Sequence, residues 1–223
     1  MSFKNKNATI SDLKEANKVV GRIKNYPNEV EYKRVGDFAD IKILSVSDAS
    51  YKCPKSVAGR LILLSNKDET KVAPLLWKGK SIPTTCKSAK CAETRSLDKT
   101  IDDSIYSART VHELYMGKGD PENQIPVSVY CDNKGLIDSV NSTHQVEEKL
   151  LRPIIQYIKD TRAYMWVNEL SWVDTQHCLA DVLTKMNSDV RDKLMNVIKT
   201  GNMINLRKDL HPSKKAPGMT DSL

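Results

Sequence analysis

The sequence predicts an α/β protein built on a mixed sheet flanked by helices, and three observations carry that reading. Three apolar stretches, residues 41–48, 56–65 and 71–80, follow one another with hairpin-sized connections. Beyond them, helix-like and strand-like stretches alternate as far as residue 200. Hydrophobic residues make up 39% of the 223, enough for a core. No run approaches the ~18 consecutive apolar residues of a membrane span.

Residues 8–24, ATISDLKEANKVVGRIK, read as a helix. Leu13, Ala16, Val20 and Ile23 recur at helical spacing, Ser11 is the expected N-cap, and Pro27 ends the pattern. IKILSVSD (41–48), SVAGRLILLS (56–65) and KVAPLLWKGK (71–80) are the first three strands, with an Asn-Lys-Asp-Glu turn at 66–69. Residues 88–116 suit a helix that is expected to break in two. After a loop with Gly117, Gly119, Pro121 and Pro126, VSVYCD (127–132) is the fourth strand. LIDSVNS opens another helix, and residues 146–160 form a further one that Pro153 kinks or restarts. Residues 163–173 hold the fifth strand, and 178–200 reads as one amphipathic helix. The tail from Asn202 is basic, contains Pro212 and Pro217, and is expected to be loose.

The net charge of +7 is unevenly spread. Residues 52–90 carry nine Lys/Arg against Asp68 and Glu69, whereas carboxylates outnumber basic residues over 91–180. Such a basic stretch is either a solvated face or a phosphate-binding surface beside an acidic centre that needs metal ions to accept phosphate. The five cysteines, Cys53, Cys86, Cys91, Cys131 and Cys178, form an odd set without a Cys-x-x-Cys pair. That pattern fits a reduced, intracellular protein and argues against a zinc site. The polar start, MSFKNKNATISDLKEANK, has no signal-peptide core.

Four acids fall at the ends of elements. Asp48 ends the first strand and Asp132 the fourth, Glu93 lies in the helix-like stretch from 88, and Asp181 interrupts an apolar run. Singly, Asp48 and Asp132 also suit turn or helix caps, and Glu93 and Asp181 suit surface positions. The first and fourth strands of such an order are commonly neighbours, which would set Asp48 beside Asp132. Two carboxylates that close repel strongly unless a cation lies between them. Hard oxygen ligands without a His–Cys set point to Mg²⁺ or Mn²⁺. Several carboxylates together can hold two ions ~3.5–4 Å apart, the arrangement that serves phosphodiester cleavage.

Taken in order, SVSDAS, SVAGRLILL, LLWKGKSIPTTCKSAKCAETRSL, VYCDNKGLIDSV and CLADVLTKMN resemble the ribonuclease H domain of copia-type LTR retrotransposon polyproteins. The likeness covers roughly residues 41–187, with Cys-Asp-Asn and Leu-Ala-Asp-x-Leu-Thr-Lys its most specific parts. It implies a ribonuclease H-like fold, a five-stranded mixed sheet in the order β-β-β-α-β-α-β-α. It further implies a metal-dependent endoribonuclease that hydrolyses the RNA strand of RNA/DNA hybrids during reverse transcription with two Mg²⁺ or Mn²⁺ ions. Asp48, Glu93, Asp132 and Asp181 are then the catalytic metal ligands, Asp48 bridging both ions. Asp48 and Asp181 would hold the ion that activates water, and Glu93 and Asp132 would complete the second.

Under this resemblance residues 1–36 look like the helical end of a preceding reverse transcriptase, 37–200 the ribonuclease H-like domain, and 201–223 a basic flexible tail. The implied partners are an RNA/DNA hybrid and the rest of a reverse transcriptase polyprotein, with no membrane. The implied location is cytoplasmic, in virus-like particles. Lys52, Lys78, Lys80, Lys87, Asn133 and Lys134 are the candidate nucleic-acid contacts. His177 is either a proton carrier or a surface or capping residue, while His112 and His144 look structural or solvent-facing. Trp77, Trp166 and Trp172 are expected in the core. A catalytically inactive nucleic-acid-binding domain of the same fold is the alternative from another class, and an integrase-like nuclease is a third reading.

Overall fold

The computed structural model describes residues 9–25, 30, 32–117, 125–144, 146–185 and 188–203, and the chain divides into two compact units, 1–31 and 32–223. The expected loose tail beyond residue 203 lies outside the described residues. In the first unit, helix α1 (Ile10–Asn25) is capped by Thr9 and not by Ser11. Thr9 Oγ1 accepts from the Asp12 N–H at 3.2 Å, and the Asp12 carboxylate accepts from the Thr9 N–H at 2.7 Å. This reciprocal pair needs an acceptor three residues after the cap, which Asp12 supplies for Thr9.

The second unit is a sheet with helices. Strands β1 (Ile41–Ser50), β2 (Val57–Asn66) and β3 (Val72–Ser81) form an antiparallel meander. β4 (Val127–Cys131) and β5 (Glu169–Trp172) add in parallel on the other side of β1, so the sheet order is β3-β2-β1-β4-β5. The five-stranded mixed sheet expected from the sequence is present. Helix α2 (Ala89–Met116) follows β3, while α3 (Lys134–Asn141) and α4 (Arg152–Ala163) lie between β4 and β5. Pro153 sits in the first turn of α4, where its missing N–H costs no helical bond. Among the described residues the last helix is α5 (Ser188–Thr200).

Strand alternation divides the core. Ile41 and Ile43 of β1, with Val127 and Val129 of β4, join a core cluster with Leu97 and Ile101 of α2 and Ile155 and Ile158 of α4. Leu44 and Val46, with Tyr130, join a second cluster with Val190, Leu194 and Val197 of α5. Asp48 continues the Leu44–Val46 alternation, so an acid ends a row of apolar side chains.

Two helix expectations are corrected. α2 runs unbroken for 28 residues, capped by Ser88, whose Oγ accepts from the Cys91 N–H at 3.0 Å, and ended by Gly117 at φ 80°. Its buried hydroxyls are satisfied within the helix. Thr94 donates to the Lys90 carbonyl at 2.7 Å and Thr100 to the Ser96 carbonyl at 2.9 Å, so polar residues tolerate the core face. In contrast, residues 178–200 are not one helix. Leu179–Leu183 forms a 3₁₀ turn with Leu179 and Ala180 buried on the sheet, and α5 starts only at Ser188. Trp77 is 51% exposed on β3, outside the core, while Trp166 and Trp172 pack half-buried against it.

Leu97→Ala empties a fully buried site between α2 and the sheet and is expected to cost about 2–5 kcal/mol in urea unfolding. Leu114→Ala, at a side chain 82% exposed, is expected to change stability by less than about 0.5 kcal/mol.

Candidate active site

Sheet register determines where the acids meet. Ser47 of β1 pairs with Cys131 of β4, so Asp132, the next residue, comes level with Asp48 at the carboxyl ends of two parallel strands. Glu93 projects from the second turn of α2 toward the same place. One ligand atom each from Glu93, Cys131 and Asp132 lie within 4.8 Å of one another, and the same holds for Asp48, Asp132 and Cys178. Asp181, in the 3₁₀ turn, reaches the group through Lys185. The Lys185 Nζ lies 2.6 Å from Asp181 Oδ1 and 3.4 Å from Asp48 Oδ1. All four acids singled out in the sequence therefore gather at one end of the sheet.

Each acid is held by neighbours. The Ser96 hydroxyl of α2 donates to the Asp48 carbonyl at 2.7 Å, fastening the end of β1 to the helix that carries Glu93. The Thr184 hydroxyl donates to Asp48 Oδ2. Trp172 Nε1 donates to the Asp132 carbonyl at 2.9 Å, and the Thr175 hydroxyl to Asp132 Oδ2 at 3.2 Å. The turn bearing Asp181 is seated by two glycines. Asp48 pairs with Gly59 of β2, and Gly59 with Gly79 of β3, so one transverse row crosses the sheet to Asp48. A Cβ at Gly59 would lie 2.6 Å from Thr184 Cγ2 and 2.9 Å from the Ala180 carbonyl oxygen; one at Gly79 would lie 2.5 Å from the Leu183 carbonyl oxygen. Only glycine leaves room for the turn.

The electrostatics follow from burial. Asp48 and Asp132 are pushed above the ordinary carboxylate range first by burial and then by neighbouring carboxylates, partly offset by their hydroxyl donors and Lys185. Glu93 is pushed up to about 9, again by burial first and then by Asp48 and Asp132. Its Oε2 is buried without a hydrogen-bond partner. For Lys185 burial disfavours the charge, but the bond to Asp181 and the nearby carboxylates prevail, so its pKa is raised. Burial and adjacent carboxylates also push the Cys131 and Cys178 thiols well upward. The set thus fits divalent cations. It offers four carboxylates, one oxygen lacks a partner, and an ammonium already lies against two of them.

The candidate lysines are exposed around this end and on β3, while Asn133 is half-buried. Lys52 follows β1, Lys78 and Lys80 stand on β3 beside Trp77, and Lys87 precedes α2. Lys134 opens α3, whereas the Asn133 side chain is committed to capping that helix, accepting from the Leu136 N–H at 2.9 Å. His177 lies in a short 3₁₀ turn (Thr175–His177) next to Cys178. His112 is buried against Phe38, at a ring separation of 5.8 Å, and His144 is exposed after α3. Sequence reasoning missed Thr184 and Lys185, although both stand within Leu-Ala-Asp-x-Leu-Thr-Lys, three and four residues after Asp181. Thr175 and Trp172 carried no local signal.

No family model matches the chain, and no curated protein matches it. Among solved structures, similar chains include the N-terminal RNase H domain of a Mycobacterium tuberculosis protein, 16% identical, covering 71% of this chain and 96% of that one with a TM-score of 0.42. An RNase H1 isolated from compost by a metagenomic approach is 18% identical, covering 68% and 96%, with a TM-score of 0.44. RNase H1 from the archaeon Halobacterium salinarum is 12% identical, covering 68% and 98%, with a TM-score of 0.43. At identities and scores this low, the functional reading rests on the side chains described above.

Gly79→Ala is expected to cost about 1–3 kcal/mol by forcing the Asp181 turn off the sheet, and to weaken Mn²⁺ binding by calorimetry. Gly21→Ala, where the added carbon meets nothing within 4 Å, should do neither. Because the folded-state pKa of Glu93 lies above its ordinary value of 4.5, its contribution to stability is full below that value and lost as pH rises toward about 9. The metal-free melting temperature of Glu93→Gln should therefore gain on that of the wild type between pH 5 and 9, and parallel curves would contradict this.

Proposed function

We propose that the protein is a divalent-metal-dependent endoribonuclease of the ribonuclease H type, acting on the RNA strand of an RNA/DNA hybrid. The observation that carries this reading is the convergence of Asp48, Glu93, Asp132 and Asp181, each from a different element, on one site. Taken with the motif resemblance, it favours the nuclease over a binding domain. A module that only gripped nucleic acid would gain nothing from carboxylates that repel phosphate. The retrotransposon setting, and a reverse transcriptase as neighbour in a polyprotein, rest on the resemblance of the quoted motifs.

In this reading Asp48, Glu93, Asp132 and Asp181 would hold two Mg²⁺ or Mn²⁺ ions. When bound, these supply the positive charge that favours deprotonated water as nucleophile and stabilises the leaving oxygen. The rest is the work of the chain. Thr184 and the Ser96-anchored backbone orient Asp48, and Thr175 and Trp172 orient Asp132, so both carboxylates face the site before substrate arrives. Glu93, whose carboxyl is pushed up to about 9 without metal, would give up its proton where a cation took that place. Lys185 balances Asp48 and Asp181 in the metal-free protein, and would be released toward phosphate if cations took over those carboxylates. Lys78 and Lys80, exposed beside Trp77, are the proposed backbone contacts of the hybrid, with Lys52, Lys87 and Lys134 around the site. Discrimination of the hybrid would come from its shape and the 2′-hydroxyls of the RNA strand.

Labelled RNA/DNA hybrid incubated with Mg²⁺ or Mn²⁺ should be cut in the RNA strand only, and Asp132→Asn should abolish cutting while leaving hybrid binding nearly intact. Binding without cutting in either metal would favour the non-catalytic alternative. Reversing charge at Lys78 and Lys80 should weaken binding and reduce the slope of log affinity against log salt by roughly one for each phosphate that is no longer neutralised. An unchanged slope would remove these lysines from the interface.

A further inference from the structure

Each group of ligand atoms around the carboxylates contains a thiol. Cys178 Sγ lies with Asp48 and Asp132, and Cys131 Sγ with Glu93 and Asp132, every atom of each group within 4.8 Å of the others. An oxygen site for a hard ion has no use for sulfur, and sulfur beside carboxylates changes which ions the site favours. Glu93, in the adjoining group, gives an independent sign that this end of the sheet takes a cation. It is only 7% exposed, its Oε2 has no hydrogen-bond partner, and it faces the same Asp132. A buried carboxylate oxygen without a donor is costly, and a positive ion would satisfy it.

The two thiols are not equivalent. Cys131 ends a central strand, paired on both sides with Ser47 and Trp172, and its sulfur already accepts from the Asn133 N–H at 3.4 Å. Cys178 lies between two 3₁₀ turns; its thiol makes a long contact, 3.7 Å, to the Ser47 carbonyl, and its sulfur accepts from the Ala180 N–H. Both thiols are fully buried, but Cys178 stands outside the paired strands and in the group that holds both aspartates.

We propose that Cys178, with Asp48 and Asp132, forms a mixed sulfur–oxygen site for a thiophilic divalent ion of the Zn²⁺ or Cd²⁺ kind. Three protein ligands with a fourth position open suit the tetrahedral preference of such ions. As the sulfur–metal bond forms, the Cys178 thiol proton leaves to solvent, and no oxidation takes place. This ion would sit between Asp48 and Asp132, in the space that a Mg²⁺ ion held by the same two carboxylates would take. The thiophilic ion therefore displaces the hard one and acts as a competitive inhibitor at the metal level. Its site uses the same carboxylates as the nuclease reading but does not depend on that reading, because the primary readout is spectroscopic.

The test is a titration of the reduced, full-length chain with Cd²⁺ alone, followed by the ultraviolet thiolate-to-cadmium charge-transfer band. Three other sulfur sources need control: the exposed Cys53, Cys86 with Cys91, both buried near the start of α2, and the buried Cys131 of the adjoining group, whose Cys131→Ser variant should keep the band. Wild type, Cys53→Ser and Cys91→Ser should give a saturating band that excess Mg²⁺ drives to higher Cd²⁺ concentration. Cys178→Ser should lose the band and bind Cd²⁺ weaker by at least roughly 10–100-fold, the loss typical even of an outer-shell partner. A band that survives in Cys178→Ser, follows Cys53 or Cys91, or ignores Mg²⁺ overturns the proposal. If the serine variant fails to fold, Asp132→Asn keeps the thiol and should weaken Cd²⁺ binding by a similar factor; unchanged affinity there overturns it equally. Hybrid cleavage with Mg²⁺, measured separately, decides the nuclease reading.

Discussion

Repulsion among buried carboxylates is the constraint around which this domain is organised. Asp48 is fully buried, Glu93 and Asp181 nearly so, and Asp132 half-buried, yet Asp48, Glu93 and Asp132 crowd one end of the sheet and Asp181 joins them through Lys185. Left in water, they would separate. Here the parallel pairing of β1 with β4 brings Asp48 level with Asp132, α2 supplies Glu93, and a 3₁₀ turn supplies Asp181. Burial and mutual repulsion together raise the pKa values of Asp48, Glu93 and Asp132. The metal-free protein relieves part of that cost with the Lys185 ammonium. A site that costs stability without cations is the kind of local conflict that marks function, since nothing in the fold requires it.

Much of the surrounding structure limits the freedom of those acids. The helix carrying Glu93 approaches β1 closely because its sheet-facing side presents Ala92, Ser96, Thr100 and Ser104. The Ser104 and Ser45 hydroxyls lie 2.7 Å apart and those of Ser47 and Ser96 3.2 Å apart, giving a polar seam between helix and strand within an otherwise apolar layer. On the other face, Gly59 and Gly79 admit the turn that bears Asp181. Small residues on both faces thus let backbone approach backbone, which fixes a carboxylate more firmly than a long side chain would.

The site also has a character that its charges alone do not convey. Sulfur from Cys131 and Cys178 lies among the oxygen ligands, and Lys185 competes for the same carboxylates. Ion choice then becomes a balance between hard oxygen, soft sulfur and a tethered ammonium, all within a few ångströms.

The sequence by itself determined the strand content and singled out the four acids, because alternation and acids at element ends are local patterns. The β1–β4 neighbourhood is an expectation from strand order, and the parallel pairing that brings Asp48 level with Asp132 is a tertiary fact. It placed β4 and α3 within a few residues of where they lie. It misjudged α2, since a polar stretch such as Arg95-Ser96-Leu97-Asp98-Lys99-Thr100 looks like a break until the hydroxyls are seen bonded to their own helix. It misjudged 178–200, where the helical period of CLADVLTK is real but burial of Leu179 and Ala180 on the sheet imposes a tighter turn. Only the tertiary structure decided that Thr184 and Lys185 serve Asp48, that Trp172 and Thr175 hold Asp132, and that Cys178 stands beside both aspartates. Those pairings join residues from 40 to 137 positions apart in the chain or depend on a turn seated by two glycines. Pairings of that range leave no period in a sequence to read.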